Sequence, residues 1–349
     1  MSQVWWPIMA AGCVIGVDLG GTKLLAGTVD SKLEVHHRAY RLARTDDAGA
    51  LIDQLVEAVQ EAGEAAFAPV LAVGLGIPCL VDPATGVALD SNHLPLHGVA
   101  VRDVLAERLG LPVAVDNDGN AALLAEWRLG EARGASNAIM LTLGTGIGGG
   151  LLVDGRLVYG RRGAAAELGH IIVDADGPPC PGNCPNHGCL EALVSGHAIG
   201  AEGLRVARSD PNSALGQALD SGREITGALV TELAHDDDPP AADIMRMMGE
   251  RLGLGVVSLV NIFNPEVVVV GGGAIAAGEL LLAPAREVVA ARALPINRAD
   301  VRLVSARFGA ESGMLGAACM ALDVAGVAVA PPSMPRPGSE PPGGGTRWA

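Results

Sequence analysis

The stretch VIGVDLGGTKLLAGTVDSKL at residues 14–33 recurs in related form as AIMLTLGTGIGGGLLVDGRL at residues 138–157. In this alignment Gly20 matches Gly144, and the apolar positions on both sides also match. Each copy has an apolar run, a glycine-rich turn, a second apolar run and a tight turn, which is the pattern of a β-hairpin. The duplication predicts two similar α/β domains, each presenting a glycine turn to a shared cleft.

Further short apolar runs alternate with segments of helical periodicity along the chain. Strands are predicted at 13–19, 24–30, 70–76, 112–117, 138–144, 149–155 and 266–272. Helices are predicted at 48–62, 99–109 and 241–262. Strands that alternate with helices place the chain in the α/β class.

The composition limits the classes of partner. The chain has 349 residues, enough for two domains, and a formal net charge of −15. This charge argues against nucleic-acid binding and against an anionic membrane surface as partner. No apolar run has the length of a membrane span, and the first residues lack the basic region of a signal peptide. We therefore expect a cytoplasmic protein without nucleic-acid or membrane partners.

The two glycine turns, together with a third glycine run in VVVVGGGAIAAG at residues 267–278, indicate a site for a polyphosphate or a nucleotide. Glycine allows backbone N–H groups to approach an anion closely. The spacing fits neither the Walker nor the dinucleotide-binding pattern, and an ordinary hairpin turn is the alternative for either turn alone. The residues expected at the nucleotide are Asp18, Gly20, Gly21, Thr22, Lys23, Thr142, Gly144, Thr145, Gly146, Gly271, Gly272 and Gly273. Asp18 is also expected to hold Mg²⁺ through water, whereas its counterpart in the repeat is Thr142.

A polar cluster, DNDGN at residues 116–120, ends one predicted strand and precedes a helix. Polar residues at the carboxyl end of a strand commonly face the ligand cleft in α/β folds. Asn117 can hydrogen-bond to hydroxyl groups, and the carboxylate of Asp118 can accept the proton of an attacking alcohol. Helix capping is the alternative for one of these residues, because Asp and Asn are good caps.

The stretch AELGHIIVDADGPPCPGNCPNHGCLEA at residues 166–192 carries the spacing H-x9-C-x3-C-x4-C. Its four soft ligands suit tetrahedral Zn²⁺ and leave no open position, so the zinc is expected to be structural. The predicted ligands are His170, Cys180, Cys184 and Cys189, with His187 as a spare candidate. The zinc would shape the loop that holds Glu167 and Glu191, and its loss is expected to spare nucleotide binding. The remaining cysteines lie in apolar runs and are expected in the core: Cys13, Cys79 and Cys319.

Together these motifs resemble the ROK family (repressors, open reading frames and kinases), most closely its bacterial glucokinases, over about residues 12–325. The resemblance rests on GVDLGGTK, GLGIP, DNDGNAA, LTLGTGIGGG, AELGH, GCLE, VVVVGGG and ESGMLGAA, which occur in this order. It implies an actin-like (ribonuclease H-like), duplicated two-domain sugar kinase fold with a hinge and an interdomain cleft. The implied boundaries are an N-terminal extension at 1–12, a small domain at 13–118 plus about 310–326, a large domain at 119–309 with its zinc loop at 170–189, and a disordered Pro/Gly-rich tail at 327–349.

The resemblance also implies roles and an activity. In relatives the aspartate matching Asp118 is the base that deprotonates the sugar 6-hydroxyl. The residues matching the sugar-binding set are Asn92, Asn117, Asp118, Glu167, His170 and Glu191. The implied reaction is ATP-dependent phosphorylation of a hexose at its 6-hydroxyl, with glucose as the leading candidate. The implied enzyme is a homo-oligomer (dimer or tetramer) that carries structural Zn²⁺ and uses Mg²⁺ with ATP.

Several alternatives remain within this resemblance. The sugar could be fructose, mannose or an N-acetylhexosamine, and polyphosphate could replace ATP as the donor. A sugar-responsive regulator is disfavoured, because the residues before Asp18 show no helix-turn-helix pattern. Two departures concern the site itself. Cys180 and Cys184 are two residues further apart than in the family pattern, so a wider zinc loop is expected, and Cys79 replaces a common glycine beside the sugar and is expected to narrow the pocket.

Overall fold

The computed structural model describes residues 12–43, 47–91 and 94–329. Asn92, which the resemblance assigns to the sugar, lies outside the described residues. Most of the predicted N-terminal extension and the predicted tail from residue 330 onwards also lie outside them.

The described residues form twelve strands and eleven helices, joined by short 3₁₀ turns. The strands are β1 Cys13–Leu19, β2 Lys23–Val29, β3 Val35–Leu42, β4 Val70–Ile77, β5 Leu80–Val81, β6 Ala88–Asp90, β7 Val113–Asn117, β8 Ala138–Leu143, β9 Ile147–Val153, β10 Arg156–Leu157, β11 Val267–Gly271 and β12 Arg302–Ser305. The helices are α1 Ala48–Glu64, α2 Val101–Leu109, α3 Asp118–Leu129, α4 Leu190–Val194, α5 Gly196–Ser209, α6 Ala214–Asp220, α7 Gly227–His235, α8 Pro239–Phe263, α9 Glu279–Arg292, α10 Pro295–Arg298 and α11 Ser312–Val324. The 3₁₀ turns are Leu168–His170, Gly273–Ala277 and Gly309–Glu311.

Two five-stranded sheets share one strand order, β3-β2-β1-β4-β7 in the first and β10-β9-β8-β11-β12 in the second. In each sheet a hairpin joins the central strand to an antiparallel neighbour, and two further strands run parallel to it on the other side. The predicted duplication is therefore confirmed for whole sheets, not only for the two hairpins. We refer below to the first half and the second half of the molecule by these sheets.

The predicted strands and helices are observed, with shifts of up to two residues at their ends. The edge strand β3, with the sequence VHHRAYRL, was not predicted. Only Ala39 of this strand is buried, so the strand lacks the apolar run by which buried strands are recognised. The short edge strand β12 escaped prediction for the same reason, because only Leu303 is buried there.

Helix α11 follows β12 of the second half but packs on β1 and β4 of the first. Glycines make this approach close, because a Cβ added at Gly74 would lie 1.8 Å from the carbonyl oxygen of Ala317. The position of α11 agrees with the expectation that about 310–326 belongs with the first half, although the domain boundaries themselves stay a prediction. Within the described ranges, no helix is long and apolar enough to cross a membrane.

Candidate active site

The carboxyl ends of β1, β4 and β7 meet at one edge of the first sheet, as expected for parallel strands. Asp18 near the end of β1 and Asp116 on β7 both pair with Gly76 of the intervening strand. A Cβ added at Gly76 would lie 3.9 Å from Oδ1 of Asp18 and 3.7 Å from Cα of Asp118. The absence of a side chain at Gly76 therefore leaves space beside the Asp18 carboxylate and the backbone of Asp118.

Asp118 begins α3 and also faces the second half. A Cβ added at Gly148, on β9, would lie 3.8 Å from Oδ1 of Asp118 and 2.5 Å from Oγ1 of Thr142. The structure thus brings together three predicted site residues, Asp18, Asp118 and Thr142. Asp18 and Thr142 occupy matched positions of the repeat, one on each hairpin. Asp118 is close to both residues and therefore lies between the two hairpins.

Burial has the largest effect on the pKa values of the Asp18 and Asp118 carboxyl groups. It raises the pKa of Asp18 to about 7, with a further contribution from the charge of Asp118. Burial also raises the pKa of Asp118, against the hydrogen bond that its carboxylate accepts from the backbone N–H of Gly119. A carboxylate with a raised pKa is a better proton acceptor than an ordinary aspartate. The site is therefore arranged for general-base chemistry.

The polar cluster divides between capping and the site. Oδ1 of Asn117 accepts hydrogen bonds from the backbone N–H groups of Gly119 at 2.8 Å and Asn120 at 3.3 Å, and so caps α3. Its Nδ2 donates to the carbonyl oxygen of Cys79 at 3.3 Å. The capping alternative thus holds for Asn117, and its contact with sugar stays a prediction.

The two glycine turns differ in length. In the first, the N–H of Gly20 donates to the carbonyl oxygen of Lys23 at 2.7 Å, and Gly21, Thr22 and Lys23 are exposed. In the second, the N–H of Gly144 donates to the carbonyl oxygen of Gly146 at 2.9 Å. The second turn is one residue shorter, because its flanking strands pair directly before and after three residues instead of four. Beyond the turn, the sequence alignment is therefore one residue out of step with the structural pairing.

The second turn is also braced from outside. Oε2 of Glu191 accepts a hydrogen bond from the backbone N–H of Ile147 at 2.7 Å. A Cβ added at Gly146 would lie 2.4 Å from the same oxygen, and Gly144 accepts a backbone hydrogen bond from Gly196 at 2.8 Å. Sequence reasoning missed this brace, because nothing in the spacing links residue 147 to residue 191.

The third glycine run packs beside the second turn. Gly271 pairs with Thr142 across β11 and β8, and Gly272 has a left-handed backbone with φ 83°. A Cβ at Gly272 would lie 2.4 Å from the carbonyl oxygen of Leu143, so only glycine fits there. A Cβ added at Gly273 would have no other atom within 4 Å. Two of the three predicted phosphate elements therefore lie side by side in the second half, and the turn at residues 20–23 lies on the first.

The predicted zinc ligands come together. One ligand atom from each of His170, Cys180, Cys184 and Cys189 lies within 4.8 Å of the others. The Sγ atoms of Cys184 and Cys189 are 3.9 Å apart, and Sγ of Cys180 is 3.4 Å from Nδ1 of His170. Tetrahedral zinc would separate such atoms by roughly 3.5–3.8 Å, so the group fits this metal. Among the described residues His187 is not part of the group.

His170 and Glu191 connect this cluster to the rest of the site. Nδ1 of His170 faces the cysteines, whereas its Nε2 lies 3.8 Å from Oε2 of Glu167. Burial raises the pKa of Glu167; the charge of His170 opposes this rise, and those of Asp118 and Glu191 add to it. The Cys-rich loop at residues 170–189, Asp118 and the second glycine turn therefore lie in one neighbourhood. The expectation that the loop is independent of the nucleotide turns does not fit the Glu191–Ile147 contact.

The three cysteines expected in the core are buried there, and Cys79 has only 3% of its surface exposed. Burial raises the pKa of the Cys79 thiol to about 11. Cys79 packs in the hydrophobic core of the first half, and its backbone carbonyl oxygen accepts the hydrogen bond from Asn117. The narrowing of the pocket by Cys79 stays a prediction.

Residues 14–324 match the sequence pattern that defines the ROK family. The chain belongs to the ROK family. It is 36% identical over 308 residues to the glucokinase of Thermotoga maritima, a match that covers 87% of this chain and 96% of that protein. It is 33% identical over 320 residues to the glucokinase of Streptomyces coelicolor, covering 89% and 98%.

The fold agrees with this membership of the ROK family. The crystal structure of a ROK family glucokinase from Streptomyces griseus, in complex with glucose and AMPPNP, superposes with a TM-score of 0.81 at 35% identity. The match covers 89% of this chain and all of that one. The predicted actin-like, duplicated sugar kinase fold is therefore confirmed.

Proposed function

We propose that this chain is a glucokinase that transfers the γ-phosphoryl group of ATP to the 6-hydroxyl of glucose. The observation that carries the proposal is the position of Asp118 between the two hairpins, with a raised pKa and with the Cys-rich loop beside it. The similarity to glucokinases over nearly the whole chain supports the same activity.

Asp118 acts as the base in this proposal. The oxygen of the 6-hydroxyl forms a bond to the γ-phosphorus, the bond from that phosphorus to the ADP oxygen breaks, and the hydroxyl proton passes to the Asp118 carboxylate. The transition state of phosphoryl transfer is loose, so the protein mainly positions the groups and offsets their charge. The raised pKa of Asp118 favours its acceptance of the proton.

The glycine turns would hold the phosphates through backbone N–H groups and through the hydroxyls of Thr22, Thr142 and Thr145. Lys23 is exposed on the first turn and would add a positive charge. Asp18 would hold Mg²⁺ through water, since a cation favours the charged form of a carboxylate whose pKa is raised to about 7 beside Asp118. Bound Mg²⁺ would offset the negative charge of the phosphates.

The sugar would lie against the Cys-rich loop. The polar groups that would hold its hydroxyls belong to Glu167, His170, Glu191 and the capping residue Asn117. The family resemblance adds Asn92, which lies outside the described residues. Zn²⁺ held by His170 and the three cysteines would fix the loop and take no part in the chemistry. The ligand atoms already lie at distances that suit the metal, and this supports a preformed structural site.

A sugar panel with detection of ADP tests the proposal. Glucose, fructose, mannose and N-acetylglucosamine are offered with ATP, and glucose is also offered with polyphosphate while glucose 6-phosphate is measured. We expect kcat/KM to be highest for glucose with ATP. A higher kcat/KM for another hexose would replace glucose as the proposed sugar, and a higher value for polyphosphate would replace ATP as the proposed donor. No transfer to any sugar would refute the proposed kinase activity. Sedimentation of the same protein tests the predicted dimer or tetramer, and the cytoplasmic location stays a prediction.

A further inference from the structure

A side-chain hydrogen bond joins the two halves two residues before Asp118. The hydroxyl of Tyr159, just after β10 of the second half, donates to Oδ2 of Asp116 on β7 of the first half at 2.8 Å. Asp116 has only 6% of its surface exposed, and Tyr159 is half-buried. Neither the sequence motifs nor the reaction described above gives these two residues a role.

The remaining partners of Asp116 surround the catalytic corner. Its Oδ1 accepts hydrogen bonds from the backbone N–H of Asn117 at 2.7 Å and from Nδ2 of Asn120 at 3.0 Å. These two residues lie on either side of Asp118, where β7 turns into α3. Within the described part of the chain the buried carboxylate of Asp116 is stabilised by these three hydrogen bonds.

The segment that carries Tyr159 is docked on the first half. Gly163 has a left-handed backbone with φ 73°, and a Cβ added there would lie 1.8 Å from the carbonyl oxygen of Val81. The N–H of Ala165 donates to the carbonyl oxygen of Tyr159 at 3.2 Å and closes the loop. A groove of about 470 Å³ has residues of both halves in its wall, among them Asp116 and Tyr159. The hydrogen bond therefore lies where the two halves meet, on the side of β7 that faces this groove.

We propose that Tyr159 is a positioning residue for the phosphoryl transfer: through Asp116, its hydroxyl holds the β7–α3 corner, and with it Asp118, in register with the second half. The proposal rests on the kinase function above. The corner belongs to the first sheet, whereas the glycines and the Cys-rich loop that Asp118 faces belong to the second. Without the bond the corner can shift relative to the sugar, and small shifts of a reacting group cost much in rate.

Tyr159→Phe removes one oxygen and keeps the ring. The chain has two tyrosines, so Tyr40→Phe, at a side chain that is 58% exposed, is a matched control. We expect Tyr159→Phe to lower kcat with glucose roughly tenfold while the KM for ATP changes less than about twofold. Wild-type kcat in a folded Tyr159→Phe protein would overturn the proposal.

Asp116→Asn distinguishes the role of Asp116 in positioning the β7–α3 corner from the effect of its negative charge. Its amide can donate to the Tyr159 oxygen, and its carbonyl can still accept the other two hydrogen bonds, so the corner stays in place. We expect Asp116→Asn to keep most of the kcat that Tyr159→Phe loses. If Asp116 acted instead through its charge, which raises the pKa of Asp118, then Asp116→Asn would move the acid limb of the kcat profile to lower pH and Tyr159→Phe would stay active. That pattern would also overturn the proposal.

Amide hydrogen exchange tests the positioning without any turnover. The first-turn amides of α3, including those of Gly119 and Asn120, should exchange faster in Tyr159→Phe than in the wild type and Tyr40→Phe. Unchanged exchange would refute the role of Tyr159, even if wild type phosphorylates glucose. Faster exchange in a protein that phosphorylates no sugar would refute only the kinase. If Tyr159→Phe fails to fold, the same exchange is measured in Asp116→Asn, which keeps the hydrogen bond, and faster exchange than in the wild type there would count against the proposal.

Discussion

The first and second glycine turns occupy the same place in two sheets of identical order, yet they are held differently. The first, at residues 20–23, closes through the hydrogen bond from Gly20 to Lys23, receives a backbone hydrogen bond from Ala43 to the carbonyl oxygen of Thr22 at 3.0 Å, and is largely exposed. The second, at residues 144–146, is one residue shorter and is fixed by Glu191, which belongs to the element after the Cys-rich loop. The duplicated sheets thus hold their turns differently: the backbone of the adjacent edge strand contacts the first turn, whereas the side chain of a distant carboxylate braces the second.

The difference also divides the chemistry. The strand before the first turn carries Asp18, and the matched strand before the second turn carries Thr142. A carboxylate suits a cation, whereas a hydroxyl is a neutral hydrogen-bond donor and acceptor. Asp118, between them, is the one predicted catalytic group that both sides share.

Asp118→Asn should have the largest effect, and it should affect both sides of the comparison alike. The amide keeps the shape and the hydrogen bond to Gly119 but cannot accept the proton, so kcat should fall by about 10²–10⁴. The KM for glucose should change little. Steady-state kinetics with Asp154→Asn as a surface control measures this, and activity within a few-fold of the wild type would remove Asp118 as the base.

Cys184→Ala tests whether the brace depends on the metal loop. Zinc should be lost, and the affinity for glucose should fall by more than roughly tenfold, because Glu167, His170 and Glu191 lose their support. Through Glu191 and Ile147 the affinity for ATP should also fall, though less. Elemental analysis with glucose and ATP titrations measures all three. His187→Ala, in the same loop, should keep the zinc, and normal glucose affinity in zinc-free Cys184→Ala would contradict this account.

Gly146→Ala and Gly20→Ala compare the two turns directly. Neither glycine has a left-handed backbone, so alanine tests space alone. At Gly146 the new Cβ would meet Oε2 of Glu191 at 2.4 Å, whereas at Gly20 the nearest atom is the carbonyl oxygen of Lys23 at 3.6 Å. We expect Gly146→Ala to raise the KM for both ATP and glucose by roughly tenfold, and Gly20→Ala to change only that for ATP, by less than about threefold. Equal effects of the two changes would mean that the brace has no functional weight.

The sequence predicted the features that depend on local pattern. The two hairpins, the cysteine spacing and the carboxylate that follows β7 are each visible within about twenty residues, because strand periodicity, ligand spacing and polar clusters are local signals. The repeat predicted that the two halves are alike, and both sheets have the same strand order. Asp18 and Asp118 lie close to each other, and the four predicted zinc ligands lie together, whereas their roles stay predictions.

The features that escaped depend on contacts between distant segments. The hydrogen bond from Ile147 to Glu191 and that from Tyr159 to Asp116 join residues without a shared motif. Asn117 could be predicted as a cap or as a sugar ligand, and only the backbone of α3 shows that it caps. The shorter second turn escaped because the alignment continues without a gap while the strand pairing shifts by one residue.

The smallest expected effects concern the tight turns that end the two hairpins. Leu33 and Asp154 both have left-handed backbones, with φ 61° and 50°. Asparagine adopts this conformation more readily than either, so Leu33→Asn and Asp154→Asn relieve similar strain. Leu33, however, is buried in the core beneath α11, and Asp154 is exposed.

Leu33→Asn should therefore lower the free energy of unfolding by about 2 kcal/mol through lost apolar burial, whereas Asp154→Asn should change it by less than about 0.5 kcal/mol. Urea unfolding measures both, and kcat should be unchanged in both because neither turn contacts the site. The alignment pairs Asp154 with Asp30, whose Oδ1 instead accepts the backbone N–H groups of Lys32 and Glu34 at 2.8 and 3.0 Å. An equal gain in stability in both variants would show that relief of backbone strain outweighs the burial lost at Leu33.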